Sequence, residues 1–174
     1  MSGRTEERPG WDEYFMRLAE LAATRSTCLR RQVGALLVAD RRVLATGYNG
    51  PPRRLSHCRE AGCLREDLHI PSGQRHEICR AIHAEQNAIL QAAHHGVLVR
   101  RAALYSTHQP CAICAKLILN LDITRLVLRG DYPDELALDL LREGGFRLEE
   151  AGDFIVWTKK SEFGDCAKKN CYID

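Results

Sequence analysis

Residues 103–128 read ALYSTHQPCAICAKLILNLDITRLVL. The opening residues, 103–107, favour a strand. Pro110 then opens a helix that runs to about residue 121, and 125–128 return as a strand. Cys111 and Cys114 stand three residues apart at the start of that helix, so they share one face of its first turn. A helix N-terminus favours the thiolate, which is the form that binds metal. Some 25 residues upstream, His83-Ala84-Glu85 begins another helical stretch. One imidazole and two thiolates make three protein ligands for zinc and leave a fourth position open, as a catalytic zinc needs. Glu85 lies two residues from the histidine, where it can sit beside the open position without binding the metal and move a proton there. A structural zinc would want a fourth ligand and has no use for a free carboxylate. A redox Cys-x-x-Cys pair would leave His83 and Glu85 without a role.

Outward from this centre the chain alternates helices and strands. Apolar residues recur at helical spacing from Trp11 through Tyr14, Phe15, Leu18, Leu21 and Ala22. Residues 33–38 and 43–46 spell two short strands about the polar turn Asp40-Arg41-Arg42. A Gly/Pro loop at 47–52 leads into a long irregular stretch that reaches about Glu77. A loop of that length in a compact domain is functional or pinned by something. Residues 82–93 read as a helix stopped by Gly96. Pro133 opens a last helix with Leu136, Leu140 and Leu141 on one face, closed by Gly144-Gly145. Residues 146–148 and 154–157 are expected as short strands. This order implies an α/β class with a mostly parallel or mixed sheet and helices on both faces. A single domain over 11–158 is expected, with a flexible N-terminus at 1–10 and a polar tail at 159–174.

Composition narrows the function. The chain has 174 residues, of which 25 are Lys or Arg and 23 Asp or Glu, a net charge of +2. That balance argues against gripping a long nucleic acid by its phosphates, but leaves room for a small anionic substrate. No apolar run approaches the ~20 residues of a membrane span, and residues 1–10 lack the apolar core of a secretory signal. A cytoplasmic protein is expected. The eight cysteines then read as metal or catalytic residues rather than as disulfides.

His83, Glu85, Pro110, Cys111 and Cys114 fill the H-x-E…P-C-x-x-C signature of the zinc nucleobase deaminases. The chain resembles deoxycytidylate (dCMP) deaminases and their late-competence relatives, within the cytidine deaminase superfamily. The likeness also rests on Gln32-Val33-Gly34-Ala35, Thr46-Gly47-Tyr48-Asn49-Gly50-Pro51, His83-Ala84-Glu85-Gln86-Asn87-Ala88-Ile89 and the run from Tyr105 to Cys111. The resemblance implies a three-layer α/β/α fold around a five-stranded mixed sheet. It implies a zinc-dependent hydrolase that converts dCMP to dUMP and ammonia. It implies that Asn49 binds the deoxyribose hydroxyl, with a turn residue tolerating positive φ as the alternative, and that Tyr132 covers the pyrimidine, with a surface tyrosine as the alternative. Some members hold a second, structural zinc. Here Cys28, Cys58, Cys63 and Cys79 would supply four thiolates, with His57, His69 or His76 able to replace any one; four ordinary buried cysteines are the other reading. Cys166 and Cys171, in the polar tail, are read as mobile free thiols.

Members of the family also form homo-oligomers, hexamers among them, and many are controlled by dCTP and dTTP. Gln91 and His94 stand where regulated members often carry an aromatic and an arginine, which argues against that control here. Two other readings stay open. One is a deaminase of another cytosine nucleotide or nucleoside. The other is a competence-type zinc protein with no catalytic role.

Overall fold

In the computed structural model, which describes residues 8–130 and 134–159, the first helix, α1, spans Trp11–Ala23. Phe15, Met16 and Ala19 form its buried stripe, and Asp12 and Glu13 occupy the first turn, where the helix dipole favours acids. A hairpin follows, β1 (Gly34–Ala39) and β2 (Arg42–Tyr48). Asp40 and Arg41 link them with φ of 49° and 61°, and two positive φ values in succession suit the twist of a tight hairpin. The long stretch after Tyr48 contains two single-turn helices, α2 (Cys58–Ala61) and α3 (Leu64–Asp67), and a 3₁₀ turn at His76–Ile78. Then come α4 (Ala84–His94), β3 (Ala102–Ser106), α5 (Ala112–Leu119), β4 (Ile123–Leu128), α6 (Glu135–Glu143), β5 (Phe146–Ala151) and β6 (Phe154–Lys159).

Among the described residues the sheet has six strands, in the order β2-β1-β3-β4-β6-β5, which corrects the five that the family resemblance implied. The added strand arises because the chain after α6 folds back on itself. Gly152, at φ 60°, turns the chain between β5 and β6, and it is β6 that returns to pair with β4. The sheet is also mainly antiparallel. Among the described strands only β3 and β4 run parallel, because they alone are both joined by a crossing helix, α5, and placed side by side. β6 ends at Lys159, the last described residue. Tyr132, Cys166 and Cys171 lie outside the described residues.

Adjacent strand residues face opposite ways and sort the core into two layers. Leu37, Leu104, Leu126, Leu128 and Trp157 pack with α4, α5 and α6. Leu36, Val38, Tyr105, Val127 and Val156 pack with α1. The three-layer α/β/α arrangement follows. On α6 the buried residues are Ala137 and Leu141, whereas Leu136 is 55 % exposed. Leu136 lies a helical step of about 100° away from Ala137, which turns it off the face that meets the core. Two glycines set the layer spacing. A Cβ on Gly34 would fall 1.9 Å from Ala19 O in α1, and one on Gly47 would fall 2.2 Å from Ala84 O in α4.

Candidate active site

α4 is seated on β2 by the bare backbone of Gly47 and by Asn87, whose Nδ2 donates to Tyr48 O at 2.8 Å. That seating fixes the start of α4. His83 is its N-cap residue, in extended conformation, and its backbone N–H donates to Gln86 Oε1 at 2.8 Å. Cys111 is likewise the N-cap residue of α5, with Cys114 in the first turn. Asp134 fastens this helix start: one of its carboxylate oxygens accepts from Ala112 N at 2.9 Å and the other from Ala137 N, at the start of α6, at 3.1 Å.

The two helix starts meet beyond the β3 end of the sheet. Cys111 Sγ lies 3.3 Å and Cys114 Sγ 3.5 Å from His83 Nδ1. All three ligating atoms lie within 4.8 Å of one another, and among the described residues no other three or more His, Cys, Asp or Glu side chains do so. A tetrahedral zinc with N at about 2.1 Å and S at about 2.3 Å has N···S edges of roughly 3.5 Å, so the donor set fits that ion. The thiol of Cys114 hydrogen-bonds to Cys111, which holds Cys111 down to about 4 against the opposing effect of burial, with His83 helping. The same hydrogen bond, with burial, pushes Cys114 up. Of the two, Cys111 gives up its proton more readily, and a metal would displace the protons of both.

Glu85 is buried in the first turn of α4. Ser106 Oγ donates to its Oε1 at 3.1 Å, and the Cys114 thiol approaches its Oε2 at 3.6 Å. Burial raises its carboxyl above the usual range, and the nearby charge of His83 works the other way. A carboxylate with a raised affinity for protons, fixed next to the ligand cluster and outside it, is equipped to accept a proton and give it back.

A half-open cavity runs from this cluster. Asn49 lies in its wall, and its side chain is committed to the backbone: Oδ1 accepts from Val33 N at 2.8 Å and Nδ2 donates to Arg31 O at 2.9 Å. Its φ is not positive, so the turn alternative does not hold. One lone pair and one N–H remain for a ligand. Cys28, Cys58, Cys63 and Cys79 line the same cavity, all as free thiols. Burial holds the Cys58 thiol up, and the other three cysteines add to it. Of the candidate substitutes, His57 is engaged with Thr27 Oγ1 at 2.7 Å and His69 with Asp67 O at 3.1 Å. His76 lines the cavity, its ring 4.9 Å from that of His83.

Ser106, Gln109, Arg65 and Asp134 are site residues that sequence reasoning did not single out. Ser106 offers one signal, a small polar residue in the last position of a buried strand. Arg65 and Asp134 offer none, because only the fold brings them to the site.

The matching family model is the cytidine and deoxycytidylate deaminase zinc-binding region, over residues 9–129. The chain belongs to this family. It is 42 % identical over 144 residues to the deoxycytidylate deaminase of Schizosaccharomyces pombe, covering 82 % of this chain and 44 % of that one. It is 40 % identical over 159 residues to ComE operon protein 2 of Bacillus subtilis, covering 90 % and 80 %. The dCMP deaminase of cyanophage S-TIM5, in its crystal structure with dCMP and dUMP, superposes with a TM-score of 0.67 at 30 % identity, covering 80 % of this chain and 96 % of that one. The chain thus spans less than half the length of the yeast relative, but nearly all of the phage enzyme. No helix among the described residues is long and apolar enough to cross a membrane.

Proposed function

We propose that this chain hydrolyses dCMP to dUMP and ammonia, with zinc held by His83, Cys111 and Cys114 and with Glu85 as the proton carrier. The observation that carries the reading is the placement of Glu85: buried, hydrogen-bonded to Ser106, and in reach of a three-ligand donor set without belonging to it. When bound, zinc would supply the acidity that makes hydroxide available near neutral pH. Every proton movement falls to Glu85. It takes one proton from the attacking water and delivers it to pyrimidine N3 as C4 becomes tetrahedral, then takes the second from the new C4 hydroxyl and gives it to the departing amine as the C4 carbonyl forms. Burial favours this role, because a carboxylate with raised proton affinity is a better base toward the attacking water and holds the proton until it is delivered.

Asn49 is the proposed partner of the sugar and Tyr132 of the pyrimidine face. The dCMP and dUMP bound by the phage relative support a nucleotide substrate. A second zinc on Cys28, Cys58, Cys63 and Cys79 is the proposed reason for the long stretch before α4: the four share one cavity, and since no three of their sulfurs lie within 4.8 Å of one another they would have to draw together on the ion. We also propose one catalytic domain over 11–158, assembly as a homo-oligomer, a hexamer by analogy with the family, and a cytoplasmic setting, in keeping with free thiols at all six described cysteines.

The test is ammonia release from dCMP, CMP, deoxycytidine, cytosine and dCTP by the zinc-loaded protein. The reading expects dCMP to give the highest kcat/KM. Preference for another member of the panel would keep the chemistry and change the substrate. No turnover on any of them, with zinc bound, would favour the competence-type zinc protein.

A further inference from the structure

The cavity that opens on His83 and Glu85 contains a buried cation. Arg65, in α3, is only 8 % exposed and lines this cavity. Arg65 forms no ion pair with any carboxylate among the described residues. Its Nη2 donates to Pro71 O at 3.3 Å, a long contact, and its Nε is buried with no hydrogen-bond partner. A guanidinium carries five N–H donors in a rigid fork, so most of its bonding capacity is unused here. Leaving a buried charge without a counter-ion is costly, and folds tolerate it where a ligand of opposite sign completes the site. Arg30 sharpens the picture: its Nη1 donates to Ile70 O at 3.0 Å, so two guanidinium groups are fastened to consecutive carbonyls of one loop segment on this cavity.

The second stranded donor in the cavity is Gln109 Nε2. Gln109 precedes Pro110 and the ligand Cys111 in the chain, so it belongs to the reacting end. Arg65 comes instead from the segment folded over the cavity between β2 and α4. We propose that Arg65 is the residue that grips the phosphomonoester of the substrate and so sets the preference for a nucleotide over a nucleoside. This rests on the dCMP reading above. A phosphate dianion matches the fork in charge and geometry, and Nε with one Nη can donate to two of its oxygens. A competing role for Arg65 is purely structural, pinning the loop at Pro71, and the experiment separates the two.

kcat/KM for dCMP and for deoxycytidine is measured on the zinc-loaded protein and on Arg65→Gln and Arg65→Lys, with zinc content recorded for each. A charge-assisted contact of this kind predicts that the dCMP-to-deoxycytidine ratio falls about tenfold to a hundredfold in Arg65→Gln, through KM, with zinc content unchanged. Arg65→Lys should recover part of the ratio, because it keeps the charge and loses the fork. Inorganic phosphate should inhibit the parent protein competitively and Arg65→Gln far more weakly. An unchanged ratio overturns the proposal, and so does a parallel fall for both substrates with loss of zinc. Should the parent protein turn over none of the panel, the dCMP reading fails by itself. Calorimetric binding of dCMP against deoxycytidine then still reads the anion site, and equal binding of dCMP by the parent and Arg65→Gln overturns it.

Discussion

Ser106 Oγ donates to Glu85 Oε1 at 3.1 Å, tying the last residue of β3 to the first turn of α4. Both side chains are buried. The contact fixes one carboxylate oxygen and leaves the other toward the cysteines. Ser106→Ala should therefore lower kcat with little change in KM or zinc content, because it frees the proton carrier to turn. A hydrogen bond to a charged group corresponds to about tenfold to a hundredfold. A kcat within twofold of the parent would remove Ser106 from the mechanism.

Gly47 sets how closely α4 approaches β2. In Gly47→Ala the new methyl would lie 2.2 Å from Ala84 O and 2.4 Å from Ala88 N, both backbone atoms that cannot rotate away. α4 must shift and take His83 and Glu85 with it. A stability loss of about 1–3 kcal/mol or more is expected, together with weaker zinc retention. Gly10→Ala is the control, since a methyl there meets nothing within 4 Å. Denaturant unfolding and metal content read both variants.

The expected parts of the fold were those that local pattern controls. Helical spacing marks α1, and the strand-to-helix switch at Pro110 marks β3 and α5. Both ligand-bearing helix starts were legible because the ligand spacing and the helix signals coincide at His83 and Cys111. Both strands after α6 were also legible as segments, and the count of five came from the family resemblance; what local pattern could not show is the pairing of β6 with β4, which is non-local and decided only by the returning chain. The Leu136 misassignment has the same origin: three leucines on a short helix do not say which of them meets the core. Asn49 shows a subtler limit. Its motif marks it as important, but the sequence does not reveal that half of its amide's bonding capacity goes to Arg31 and Val33.

Asp12 ties α1 to the sheet. Arg125 donates to both its oxygens, at 2.6 and 2.8 Å, and Tyr105 donates at 2.8 Å. The Arg125 hydrogen bond holds the Asp12 carboxyl below its ordinary value of 3.8, with burial opposing. A carboxyl lowered in the folded state stabilises fully above its unfolded value and loses that contribution as pH falls through the folded one. The parent protein should thus lose stability below about pH 4 more steeply than Asp12→Asn. At neutral pH Asp12→Asn should cost about 1–2 kcal/mol, less than a fully buried charged contact because both partners are about 30 % exposed. Equal acid sensitivity of the two proteins would contradict this.

Two zinc ions per chain are expected if the four cysteines close a second site. The three-ligand ion has an open position that a chelator can attack, while a four-thiolate ion is enclosed. Chelation should abolish activity before it unfolds the protein, and Cys58→Ser should lower stability and zinc content together. One zinc per chain in fully active protein would remove the second site.

The most direct test of the central claim is dUMP formation from dCMP by the parent protein and Glu85→Gln, each with its zinc content measured. The amide keeps the size of the carboxylate and cannot carry protons. The account predicts that Glu85→Gln retains zinc and loses at least about 10²–10⁴-fold in kcat. Turnover within threefold of the parent, with zinc in place, would contradict it.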